Sequence, residues 1–352
     1  MKKSALRERL IRWIIGISSI VAFGFVLRTV DLAETFHLLT SRGPILALAL
    51  VPYFVQIALD SRAWRILLGA LGRRVSWFRL ICIRLSTEAV LMSVPAGGIV
   101  GETLKPYLLA KTDRVPAAET VASIGVKKCL LVFAEATYLS LALMAGHALL
   151  VAHSEAIVHG SELPWMVLAA ILFLILVGAG LALLVTMGSV SGRTHRLLVR
   201  LPWPRVRRWL EDRHAKFAYA DSCFVKIGRA HGPLFRAYGC LLAAWFVESF
   251  ETWLLLHLLG FDVSFTAAFT MEAAVVFLRN LAFFVPAGLG VQDAGYLAFL
   301  GAFGIGSVGG GAFVILKRAK EAIWVGVGYV VLLVLEGKRT AEDRSALEGI
   351  TA

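Results

Sequence analysis

The sequence predicts an all-α, polytopic membrane protein. About eight spanning helices and two re-entrant, broken-helix segments would form two inverted-topology repeats. Three observations lead there. Apolar residues come in long, nearly charge-free blocks, at 13–27 (WIIGISSIVAFGFVL), 163–187 (LPWMVLAAILFLILVGAGLALLVTM) and 322–335 (AIWVGVGYVVLLVL). Lys and Arg gather in a few polar stretches between such blocks, as they do in cytoplasmic loops. The stretch VPAGGIVGE at 94–102 returns as VPAGLGVQD at 285–293, inside otherwise spanning sequence.

The 352 residues are 58% hydrophobic and 17% charged, against about 25% charged in globular domains. Mean hydropathy is +0.76, and a bilayer core takes about 20 apolar residues per helix. Residues 11–30 are long enough to span and show no clear small-residue cleavage site, so they read as a helix and not as a secretory signal. The net charge of +12 reads first as topology and second as attraction to anionic headgroups. No recognition module surrounds the basic stretches, so no nucleic-acid partner is expected. Cys82, Cys129, Cys223 and Cys240 lack paired spacing and read as packing residues. His147, His153 and His159 stand six apart, off any common helical face. No metal and no cofactor is expected.

Residues 1–43 comprise a basic N-terminus (Lys2, Lys3, Arg7, Arg9, Arg12), a helix to about Arg28 and a short interfacial helix at 31–40. The first repeat, 44–187, holds helices at 44–68, 77–94, 127–150 and 164–187, with the first VPAG segment turning back into the membrane over 95–112. The loop 151–162 has no Lys or Arg and reads as external. Residues 188–232 form a basic cytoplasmic loop, densest at 198–216 (LVRLPWPRVRRWLEDRHAK), where Trp203 and Trp209 suit a headgroup anchor. The second repeat, 233–335, has helices at 233–260, 264–285 and 313–335 around the second VPAG segment. A short polar tail, 336–352, ends on the cytoplasmic side with the N-terminus.

Pro95 and Pro286 stand 191 residues apart. The same offset, without gaps, sets Gly97 on Gly288, Glu102 on Asp293, Asp60 on Glu251, Lys127 on Arg318 and Tyr138 on Tyr329. Counting spans gives the two units opposite orientation. Inverted repeats with broken helices are a signature of secondary transporters. Backbone freed at Pro95, Gly97 and Gly98, and again at Pro286 and Gly288, survives in a membrane only where protein or water satisfies it. Helix N-termini at such breaks favour an anionic group.

Ionisable residues inside spans usually face a cavity. Arg84 and Glu88 stand four apart on one helical face, and Glu272 and Arg279 seven apart on another. Glu248 and Glu251 share a face, and Lys317 and Glu321 stand four apart beside Arg318 and Lys320. The bland account is a set of buried ion pairs, with Lys127, Lys128 and the 317–320 cations snorkelling to the interface. The functional account has Lys127, Lys128 and Arg318 holding a lipid phosphate, with Glu102 and Asp293 orienting it or carrying a proton and Glu321 beside them in the substrate site.

The segments VPAGGIVGETLKPYLLA (94–110), VKKCLLVFAEATYL (126–139), FFVPAGLGVQDAGYLAFLGAFG (283–304) and LKRAKEAIWVGVGYVVLL (316–333) resemble the flippase-like membrane region of the lysylphosphatidylglycerol synthase family. The last two look most like the branch encoded in hopanoid-biosynthesis clusters. The resemblance covers about 40–335. It implies re-entrant helices around a central cavity and movement of an amphiphilic lipid across a bacterial cytoplasmic membrane. The resemblance implies the lipid-translocating part, and the synthetic domain of the full synthases is not expected within these 352 residues. Where the family often pairs an arginine with an aspartate at the start of the fourth helix, this chain has Lys127, Lys128 and Glu135.

A lipid-modifying enzyme is the rival reading, but no DxxxD or DDxxD pattern and no membrane-phosphatase motif is present. A scaffold for lipid-biosynthesis enzymes is the third. Membrane lipids, anionic or amphiphilic, are the expected partners, with lipid-biosynthesis enzymes and a second copy of the chain as further ones.

Overall fold

Long apolar runs interrupted by proline, glycine and a few charges fold here as helices and turns. A computed structural model describes Gly24, Arg28, Val285 and residues 30–93, 97–186, 214–281 and 288–351. The helix expected up to Arg28, most of the basic loop, Pro95 and Pro286 fall outside those residues. The helices are α1 (Leu32–Arg42), α2 (Leu50–Ala70), α3 (Trp77–Ser93), α4 (Gly97–Asp113), α5 (Ala117–Val158), α6 (Leu163–Thr186), α7 (His214–Gly228), α8 (His231–Leu258), α9 (Phe265–Leu281), α10 (Val291–Ala302) and α11 (Ser307–Thr351). A 3₁₀ turn, Gly43–Ala49, joins α1 to α2. No strand occurs among the described residues, and the chain is an all-α membrane protein.

Among the described residues, four segments are long and apolar enough to cross a bilayer: Leu32–Ala70, Ala117–Val158, Leu163–Leu183 and His231–Leu258. α6 turns Leu172, Phe173 and Leu176 outward, as a lipid-facing helix does. The short helices next to the VPAG segments are different. α10 has 12 residues, about 18 Å at 1.5 Å per residue, which falls short of a hydrocarbon core of about 30 Å. α3 and α4 form one hairpin and α9 and α10 the other. Glycine permits each close approach: a Cβ on Gly101 would lie 3.0 Å from the Thr87 carbonyl oxygen, and one on Gly295 2.9 Å from Leu278.

Several expected ends move, and α5 runs through Val158 into the expected 151–162 loop. α5 starts at Ala117, about ten residues early, because Pro116 ends the loop as N-cap and Glu119 sits in the first turn, where an acid favours the helix dipole. α11 runs to Thr351, so the polar tail continues the helix.

The elements recur at the offset of the prolines. Moved by 191 residues, α2, α3 and α4 fall on α8, α9 and α10, and the start of α5 falls at the start of α11. Contacts recur too. α2 and α8 run antiparallel: Arg42 lies beside Gly260, Gln56 donates to Glu248, and Gly69 shares a surface depression with Pro233. The other helices exchange partners, α3 packing on α11 and α9 on α5. Gly328 of α11 sits against Leu85 and Ala89 of α3. At the matching crossing, Glu135 of α5 meets Asn280 of α9, and Asn280 is the equivalent of Ala89. An approximate two-fold axis through the α2–α8 crossing therefore relates the halves.

Candidate functional site

Where α2 and α8 cross, the helices leave a cavity of about 360 Å³. Seven helices wall it. α2 presents Tyr53, Gln56 and Asp60, and α3 presents Arg84 and Glu88. Trp245, Glu248 and Glu251 come from α8, Arg279 and Asn280 from α9, and Lys317, Lys320 and Glu321 from α11. Leu131 of α5 and Gln292 of α10 complete it. Five carboxylates (Asp60, Glu88, Glu248, Glu251, Glu321) face four cations (Arg84, Arg279, Lys317, Lys320). Glu272, Lys127 and Arg318 stand immediately behind this wall and are ion-paired to it, making six of each sign among the paired groups.

Those charges are paired across helices. Asp60 accepts from Lys127 Nζ at 2.7 Å and from Arg84 Nε at 3.1 Å, and Arg84 also pairs with Glu88. Glu248 accepts from Arg279 Nη1 at 2.8 Å and from Gln56 Nε2 at 3.0 Å. Lys320 pairs with Glu251 and lies 4.8 Å over the Tyr53 ring. Lys317 donates to Glu272 Oε2 at 2.9 Å, Tyr296 Oη at 2.5 Å and Thr252 Oγ1 at 3.2 Å. Glu272, with no exposed surface, also accepts from Tyr296 and Thr252. Trp245 Nε1, also on the wall, has no hydrogen-bond partner among the described residues.

The residues singled out in the sequence divide into three groups. Arg84, Glu88, Arg279, Gly288 and Glu321 line the cavity. Glu272 and Lys127 stand directly behind it, and Lys127 is 2% exposed, buried against Asp60 where snorkelling would have left it exposed. The third group fastens helices. Glu102 of α4 lies between Lys105, 2.8 Å away, and Lys128 of α5, 2.7 Å away. Asp293 of α10 accepts the Gly290 N–H at 2.9 Å and pairs with Arg318 of α11 at 2.7 Å. Arg318 also binds Glu321 at 2.6 Å. The two equivalent acids thus pin the short helices α4 and α10 to the long helices α5 and α11. Gly97 and Gly98 open α4. Gly288 takes φ +62°, a left-handed conformation suited to glycine, in the turn before α10.

Arg279 and Glu272, seven apart on α9, each pair with another helix, Arg279 with Glu248 and Glu272 with Lys317. Lys317 and Glu321, four apart on α11, do not pair with each other either: Lys317 pairs with Glu272 of α9, and Glu321 with Arg318 of α11 itself. Arg84 and Glu88 do pair with each other.

Sequence reasoning missed the neutral polar lining, namely Gln56, Asn280, Gln292 and Tyr53, and the Tyr296 hydroxyl behind Lys317. Their signal was available, since amides are scarce in apolar helices, but weaker than that of a charge. At one end of the bundle, Arg73 Nε donates to Glu119 at 2.6 Å and Tyr219 Oη donates at 2.5 Å, joining the loop after α2 to α5 and α7. The hydrogen bonds with Glu119 raise the Arg73 pKa above its ordinary value.

The family model described as "Lysylphosphatidylglycerol synthase TM region" matches residues 10–327. No curated protein and no solved structure matches the chain.

Proposed function

The chain belongs to the lysylphosphatidylglycerol synthase transmembrane-region family, and from that premise we propose that it moves an amphiphilic lipid between the leaflets of a bacterial cytoplasmic membrane. The observation that carries this reading is the cavity at the α2–α8 crossing. It is polar and internally neutralised, and it sits between two equivalent halves whose central helices run in opposite directions. Such a cavity accepts a polar headgroup while the acyl chains stay in lipid. Two related halves around one site are the arrangement that lets access alternate between sides. Because each wall cation already has a carboxylate partner, the site suits a zwitterionic or uncharged headgroup ahead of a bare anion. The protein acts here as a carrier and not as an enzyme, with lipids as its partners and both termini in the cytoplasm.

Purified protein in liposomes carrying fluorescent lipids tests this. Leaflet-to-leaflet movement of chemically unchanged lipid, slowed at least tenfold in Arg279→Gln and Glu248→Gln, is the expected result. A chemically altered lipid would establish an enzyme instead. Movement no faster than in empty liposomes would overturn the reading and leave the scaffold.

A further inference from the structure

Among the described residues, the buried carboxyl group of Glu135 makes no ion pair. Glu135 lies on α5, is 7% exposed, and its partner is the side-chain amide of Asn280 on α9. Every charged group of the cavity wall is matched by an opposite charge. The charged groups whose fields reach Glu135 are Arg279 of α9 and Glu248 of α8, and these two are bound to each other at 2.8 Å. α6, packed along α5, contains no ionisable residue. An ionised carboxylate in such surroundings is strongly disfavoured unless paired.

Asn280 changes that balance because an amide both donates and accepts. Its Nδ2–H₂ can donate to a carboxylate, and after rotation its Oδ1 can accept from a carboxylic O–H. Both protonation states of Glu135 are therefore hydrogen-bonded. Asn280 itself lines the cavity and stands one residue before the end of α9, just ahead of the second VPAG segment.

The two-fold relation shows that packing does not demand this pair. The equivalent of Asn280 is Ala89, and that of Glu135 is Gly326. There it is Gly328, not Gly326, that lies against Leu85 and Ala89, and Gly326 has open space around it. One half makes its crossing by close approach of backbone. The other spends an acid and an amide at the same place.

We propose that Glu135 is a proton-binding site, reached from the cavity past Asn280, through which the proton gradient drives lipid movement. The step is simple in its balance: the carboxylate gains one proton from water in the cavity, and the neutral acid returns it when the cavity opens to the other side. Loading reverses the sense of the Glu135–Asn280 hydrogen bond and so acts on the end of α9, whose Arg279 holds Glu248 across the cavity. The coupling to transport rests on the function proposed above. Proton binding does not.

Infrared difference spectra of the full chain in phosphatidylethanolamine–phosphatidylglycerol vesicles, recorded through a pH titration, read the site directly. A carboxyl C=O band should appear on acidification, vanish in Glu135→Gln, and change frequency in Glu135→Asp and in Asn280→Ala. In the same vesicles with fluorescent lipid, an imposed pH gradient should accelerate movement by wild type, and Glu135→Gln should lose that acceleration while keeping basal exchange. A band that survives in Glu135→Gln, with no band moved by Asn280→Ala, would overturn the proton site. Undiminished acceleration in Glu135→Gln would overturn the coupling. An assigned Glu135 band together with no lipid movement in wild type would sustain the proton site and reject only the transport reading.

Discussion

Replacing Lys317 by Met tests whether the charges behind the cavity act as one network. Lys317 is 4% exposed and Glu272 is fully buried. Met removes the charge, keeps most of the volume, and leaves Glu272 with only the Tyr296 and Thr252 hydroxyls. Breaking a buried ion pair by removing one partner costs roughly 3–5 kcal/mol, mostly from the stranded charge, whereas replacing both partners by apolar residues is often near neutral. At roughly 2 °C per kcal/mol for a large domain, Lys317→Met should melt about 6–10 °C below wild type in detergent, and Glu272→Met should fall by a similar amount through the stranded ammonium. The double variant Glu272→Met/Lys317→Met should recover most of that loss. If the single variants melt with wild type, or if the losses add in the double variant, the pair is not a closed buried unit and the electrostatic account of the cavity fails.

Four further outcomes follow from described contacts. Gly328→Ala would place a Cβ against the Leu85 carbonyl and Ala89, so melting should fall by about 1–3 kcal/mol, while Gly326→Ala, with open space around it, should be silent. Asp262→Cys and His231→Cys, at opposite ends of α8, should react with an impermeant thiol reagent from opposite sides of the membrane, and labelling from one side alone would refute the spanning of α8. Glu102→Gln and Asp293→Asn should lower stability through loosened α4 and α10, measured as earlier melting, because Lys105 and Arg318 are largely buried beside them. Arg73→Gln should change stability by no more than about 1 kcal/mol, since Arg73 is 42% exposed on its side chain and exposed pairs contribute little.

Much of this architecture was legible because charges are scarce in spans. Asp60 with Glu251, Glu102 with Asp293, and Lys127 with Arg318 mark the internal offset, and the helices obey it. The helix ends were harder. DRVPAAET reads as loop by composition, yet Pro116 is a good place to begin a helix and α5 begins there. Helical spacing found Arg84 with Glu88 because both lie on one helix. It could not find Lys317 with Glu272, since spacing along α11 favours Glu321 and only the tertiary fold, with α10 packed on both α9 and α11, brings Glu272 closer. The equivalent acids after the two prolines read as cavity residues because a break is expected to open there. The second break does reach the cavity, through Val285 and Gly288, but Glu102 and Asp293 stand off its lining and pair with Lys128 and Arg318.

The exchange of partners between halves bears on how the chain is made. Ala89 meets Gly328, 239 residues later, so α3 leaves the ribosome long before the helix it packs on exists. At synthesis rates of roughly 5–20 residues per second, that interval is roughly ten to fifty seconds. Throughout it Arg84, Glu88 and the small-residue face of α3 wait in the membrane with α11 missing. The first half alone therefore cannot reach its final packing, and a gene split at the basic loop should yield stable protein only when both pieces are made together.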